Sequence, residues 1–200
     1  QNLTLTAIWE ANNAYYFVEY YLENIDGTYS LFESVKYEGV TGLFVETVLK
    51  SYDGYELNQQ HPNNKYDGYV LSDNSLKLTL YYQKIKYTVT FVDYDDSVIS
   101  IIEVKNHESA IAPANPIRTG YTFVGWNNTF DNVTSDLTIK ALYTINIYSI
   151  TFDTNGGYPI PPQEVEYNTL LKLPIPTKDY HDFLGWLLDG ELVEEVNIVD

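Results

Sequence analysis

Gly120-Tyr121-Thr122-Phe123-Val124-Gly125-Trp126 and, about 60 residues later, Tyr180-His181-Asp182-Phe183-Leu184-Gly185-Trp186 are two renderings of one phrase. Upstream of the first stand Tyr87, Val89 and Phe91, then Pro113 and Pro116. Upstream of the second, in the same order, stand Tyr148, Ile150 and Phe152, then Pro174 and Pro176. Self-similarity at this period marks a tandem array in which each small unit buries its own core. Such an array builds reach, avidity or a stalk, and is poorly suited to a single catalytic pocket.

Within each unit the apolar residues recur with period two in short runs bounded by Gly, Asn, Asp and Pro, which predicts strands. Tyr16, Val18, Tyr20 and Leu22 share one face of a strand, and Tyr15, Phe17, Glu19 and Tyr21 share the other. The turn at Glu23-Asn24-Ile25-Asp26-Gly27 returns the chain through residues 28–35 as a hairpin. Leu76, Leu78, Leu80 and Tyr82 alternate with polar neighbours in a late strand predicted for the middle of that sheet. The second unit turns near Asp93 to Ser97, and the third turns at Asn155-Gly156-Gly157. No long pattern of period 3.6 occurs, so the fold class is mainly β, α+β at most, with few and short helices.

The modules are placed at 13–84, 85–145 and 146–200. The third is expected to lack its last strand, because the alternation of Leu137, Ile139, Ala141 and Tyr143 has no later counterpart. Leu3, Leu5, Ala7 and Trp9 carry that alternation instead, so residues 1–12 read as the closing strand of a preceding repeat. An unpaired strand and an unfilled sheet edge invite exchange, and head-to-tail self-association through the segment from Leu3 to Trp9 is the expectation. The chain opens at Gln1 and holds no methionine, which reads as a piece of a longer protein.

Twenty tyrosines, eight phenylalanines and three tryptophans supply cores for units close to the lower size limit. Cysteine is absent, so no unit is stapled by a disulfide. A net charge of −17 with eleven lysines and arginines argues against nucleic acid and against anionic membrane as partners. The sequence holds no apolar run long enough to insert into a membrane.

At the residues quoted, the second and third units resemble the Listeria-Bacteroides repeat, the B-repeat of internalin-type proteins. The shared features are the opening Tyr-x-Val/Ile-x-Phe strand, the Asn-Gly-Gly turn, the paired prolines, Gly-Tyr-x-Phe-x-Gly-Trp, and a closing strand such as residues 2–9. The second unit departs from the pattern with Asp93 to Asp96 at the first turn, and the third with Tyr180-His181-Asp182-Phe183. The first unit, with Tyr52-Asp53-Gly54-Tyr55, His61-Pro62 and Gly68-Tyr69-Val70, is similar to mucin-binding-protein-like repeats of bacterial surface proteins. The resemblance implies small β-grasp-like modules, an extracellular place on the bacterial cell surface and cell wall, and a host glycoprotein or glycan as partner of an adhesin.

Catalytic chemistry has little to stand on. His61, His107 and His181 are isolated loop histidines, and no nucleophile, metal-binding or phosphate-binding pattern surrounds them. Asp93, Asp95 and Asp96 could offer oxygens to calcium, but without an EF-hand's spacing they read as a hairpin turn, as do Glu191, Glu194 and Glu195 in theirs. No catalytic residue, metal site or cofactor is therefore assigned. Tyr15, Phe17, Tyr21 and Tyr81, on the outer face of the first unit, are the candidate ligand contacts, since sheet aromatics stack on sugars or anchor a protein. Packing explains the same residues, and Trp126 and Trp186, copied from unit to unit, read as core.

Overall fold

The computed structural model describes residues 2–198; Gln1, the first residue of the expected closing strand, and residues 199–200 of the third module lie outside the described residues. Every regular element is a β-strand, and among the described residues there is no helix. The chain divides into two compact units. One takes in the chain up to Thr88 with Glu103–Ala110 and Asp131–Asp136; the other takes in Val89–Ile102, Ile111–Phe130 and the chain from Leu137 on.

In the first unit, β1 (Asn13–Glu23) pairs antiparallel with β2 (Tyr29–Val40) and parallel with β6 (Lys77–Lys84), which in turn pairs antiparallel with β4 (Tyr55–Leu57). The sheet order is β2-β1-β6-β4, so the late strand is interior as its alternation predicts. A parallel pair needs a long crossover. Here an irregular arm supplies it, braced by the short antiparallel pair β3 (Phe44–Glu46) and β5 (Asp67–Tyr69).

The even-numbered face of β1 is the core: Tyr16, Val18 and Tyr20 are buried with Leu78, Leu80, Tyr82 and Val70. Tyrosine is tolerated there where the hydroxyl finds a partner as the ring is buried. Tyr20 donates to the Val48 carbonyl (2.8 Å), Tyr52 donates to Glu33 Oε2 (2.9 Å), and the Lys50 amide donates to the Tyr82 hydroxyl (3.1 Å). A bulge at Tyr20/Tyr21 leaves Phe32 unpaired on β2, adding local twist.

The other large sheet repeats this plan. β7 (Lys86–Val92) and β8 (Val98–Lys105) form the hairpin, β10 (Leu137–Ile145) runs parallel to β7, and β9 (Tyr121–Trp126) lies antiparallel to β10. The order β8-β7-β10-β9 matches β2-β1-β6-β4 element for element, although the two modules share little wording. Phe91 is fully buried and meets Trp126 edge-on, at 5.0 Å between centroids; Trp126 meets Phe123 at 5.3 Å. The same triad recurs as Phe152, Phe183 and Trp186, at 5.3 and 5.6 Å from the indole, whose N–H donates to the Pro174 carbonyl. The third module keeps its hairpin as β11 (Ile147–Ile150) and β12 (Gln163–Glu166). Beyond it are two short antiparallel pairs, β13 (Leu170–Lys172) with β16 (Glu195–Asn197) and β14 (Trp186–Leu188) with β15 (Glu191–Val193). Residues 2–12 take no strand assignment, and Leu3, Leu5, Ile8 and Trp9 are exposed.

Candidate ligand-contact surface

The odd-numbered face of β1 carries Tyr15, Phe17, Glu19 and Tyr21, while Tyr81 is the register partner of Tyr21 on β6. The structure sorts the four candidate aromatics into two pairs. Tyr21 and Tyr81 stack at 4.6 Å with rings 9° apart. Tyr15 and Phe17 meet edge-on at 5.7 Å, and the Lys36 ammonium sits 4.0 Å above the Tyr15 ring.

Between the pairs lies a buried carboxylate. Glu19 accepts the Tyr21 hydroxyl at Oε2 (2.9 Å) and the Lys77 ammonium at Oε1 (2.7 Å). Burial and then the hydrogen bond to Glu19 push the Tyr21 hydroxyl up to about 12, so it stays a neutral donor. The stack continues beyond the strands: the His61 imidazole lies 3.8 Å from Tyr81, 13° off parallel, and Tyr29 abuts both rings edge-on at 4.7 and 5.4 Å. Burial lowers the His61 pKa, keeping the ring neutral near pH 7. Asn58 Nδ2 donates to the Tyr29 hydroxyl, and Asn64 Oδ1 accepts the Tyr81 amide, so amide groups edge the aromatic ladder.

This is a ridge of half-buried rings. Two hollows of the same unit, one of about 540 Å³ beside Leu57 and Tyr66 and one of about 470 Å³ beside Phe32 and Tyr55, are lined by none of the four candidates. His61 and Asn58 join the ladder only through the crossover arm, and Tyr29, at the start of β2, meets Tyr81 and His61 only through tertiary packing. All three escaped the sequence reading, since the alternation of β1 and β6 shows no trace of them.

The aspartates of the second unit are engaged as turn residues. Asp95 Oδ1 accepts the Ser97 amide and hydroxyl, Asp93 Oδ1 accepts the Tyr143 hydroxyl (2.6 Å), and Asp96 pairs with Lys140 (2.7 Å). Their carboxylates point to separate partners and do not converge on one point.

Fold and surface together define a tandem array of small, mainly β modules. The chain belongs to the Listeria-Bacteroides repeat domain family, whose profile matches residues 87–146 and 148–199, more than half of its length. It is 38% identical over 112 residues to Internalin H of Listeria monocytogenes, covering 50% of this chain and 20% of that protein. It is 33% identical over 120 residues to a protein of Evansella cellulosilytica named as a Gly-rich membrane protein, covering 54% of this chain and 14% of the relative. The chain thus spans a fifth or less of the length of these relatives. Among the described residues no helix is long and apolar enough to cross a membrane.

Proposed function

We propose that this chain is a non-enzymatic repeat region of a bacterial cell-surface protein, extracellular, serving as a spacer or stalk and as an adhesion array. In this reading a mucin-binding-protein-like module at 13–84 precedes β-grasp-like repeats at 85–145 and 146–200. The order second–first–last–third strand, with its parallel central pair, underlies the β-grasp assignment. Membership of the repeat family and likeness to Internalin H support a structural role over a catalytic one.

The observation that carries the reading is the shortness of the junctions. A single residue separates β6 from β7, and a single residue separates β10 from β11. Each is bonded at both its N–H and its C=O: Ile85 to Gly54 and Asn106, Asn146 to Gly120 and Tyr167. Linkers this short, with both backbone groups bonded, are not flexible tethers. Small-angle scattering tests the reading. A compact globule of this length has a radius of gyration of about 16 Å; a spacer gives a distinctly larger value, and a value near 16 Å would count against it.

A second reading, recognition of a mucin-type glycan or host glycoprotein by the first module, is favoured by the amide-edged ladder of Tyr21, Tyr81, His61 and Tyr29. A third, self-association by strand exchange, is favoured by the exposure of Leu3, Leu5 and Trp9 at the alternating positions of a closing strand.

A further inference from the structure

Three turns in the chain share one geometry. Tyr52-Asp53-Gly54-Tyr55, Arg118-Thr119-Gly120-Tyr121 and Lys178-Asp179-Tyr180-His181 each close with the fourth amide donating to the first carbonyl, at 3.1, 3.0 and 3.1 Å. In each the third residue has positive φ: 75° at Gly54, 74° at Gly120 and 61° at Tyr180. The first two turns lead into β4 and β9, the corresponding strands of their modules.

The first two turns also receive the next repeat. The Gly54 carbonyl accepts the Ile85 amide (3.0 Å), and the Ile85 carbonyl accepts the amide of Asn106, the residue just after β8 (2.8 Å). The Gly120 carbonyl accepts the Asn146 amide (2.9 Å), and the Asn146 carbonyl accepts the amide of Tyr167, the residue just after β12 (2.9 Å). The side chains of those same two residues fill the space beside the glycines. A Cβ on Gly54 would overlap the Asn106 side-chain amide, and a Cβ on Gly120 would overlap the Tyr167 ring.

Tyr180 separates the two reasons for a glycine. It holds a full side chain at the same positive φ, with its ring wholly exposed, so the turn itself accepts a Cβ. What forbids one at Gly54 and Gly120 is the docked neighbour. We propose that this turn is the socket into which the following repeat docks, that glycine at its third position admits that repeat's linker amide and post-hairpin side chain, and that Tyr180 closes the socket of the third repeat to a partner docked in this way. The proposal deepens the spacer reading, since it puts the stiffness of each junction under the control of one residue per repeat.

Hydrogen exchange on the full chain tests it, using Gly120→Tyr, which transplants the third repeat's residue, and Gly120→Asn, which adds a Cβ on a residue that tolerates positive φ. The expected result is at least a tenfold faster exchange of the Asn146 and Tyr167 amides in both variants, with the amides of β7 and β10 unchanged. Adding Tyr167→Ala to Gly120→Asn removes the overlapping ring and should return protection to Asn146. Unchanged protection at Asn146 in the single variants would overturn the proposal. So would a general loss of protection across the second repeat, because the turn rather than the docked neighbour would then require the glycine. Scattering keeps the two readings apart: an extended wild-type chain whose protection ignores Gly120 fails the socket alone, and a compact one whose protection obeys it fails the spacer alone.

Discussion

Glu23 reads in the sequence as the first residue of a polar turn, yet in the fold it is a buried charge, 7% exposed. Its Oε1 accepts the Lys105 ammonium at 2.6 Å and its Oε2 accepts the Lys84 amide at 2.9 Å, while the Lys84 ammonium lies 3.6 Å from Glu108. Burial alone would raise the Glu23 pKa; the Lys105 and Lys84 hydrogen bonds and the two lysine charges outweigh it and hold the carboxyl below its ordinary value. A carboxyl with a depressed folded pKa adds stability above its unfolded pKa of about 4.3, and that stability is lost as the pH falls through the folded value. Glu23→Gln should therefore cost about 2 kcal/mol at pH 7 and less at pH 3, measured by urea unfolding at both. An equal cost at both pH values would show that the carboxylate's charge is not what stabilises. No sequence pattern announces this network, because Glu23 and Lys105 stand 82 residues apart.

Strands and turns were the most legible scale, since their causes are local. The hairpin β7–β8 turns where the aspartates cluster, because Asp95 bonds the Ser97 amide two residues on and Asp96 accepts positive φ. Asp26 with Thr28 and Asp73 with Ser75 repeat the device. The inward and outward faces of β1 also follow from period two alone. The aromatic ridge is less legible: the placement of Tyr15, Phe17, Tyr21 and Tyr81 on one sheet face follows from alternation, but their division into two pairs follows from the register of β1 against β6. If the face binds glycan, immobilised mucin should capture the chain saturably, and a quadruple alanine variant at these four positions with unchanged circular dichroism should lose that capture. Absence of wild-type binding would leave the ridge as packing, with the Tyr21–Tyr81 stack contributing about 1 kcal/mol to the sheet.

Across the whole molecule the same four-strand plan appears under two different wordings, and its strands close parallel central pairs across crossovers of irregular chain. The segment from Leu3 to Trp9 carries the closing-strand pattern with its apolar side chains exposed. Removing residues 1–10 should lower self-association, measured by sedimentation velocity over a range of concentrations; equal association of the two chains would rule out exchange through this segment. Period two, the Asx turns, and the recurrent Gly-Trp phrase determined by themselves that the chain is a string of β modules, because strand alternation and turn chemistry act over a few residues. Only the tertiary structure decided that Gly54 and Gly120 are docking points while Tyr180 is not, that Glu23 meets Lys105, and that His61 caps the aromatic ladder. Those contacts join residues dozens of positions apart, and they exist only once the crossover and the one-residue junctions have brought them within van der Waals reach.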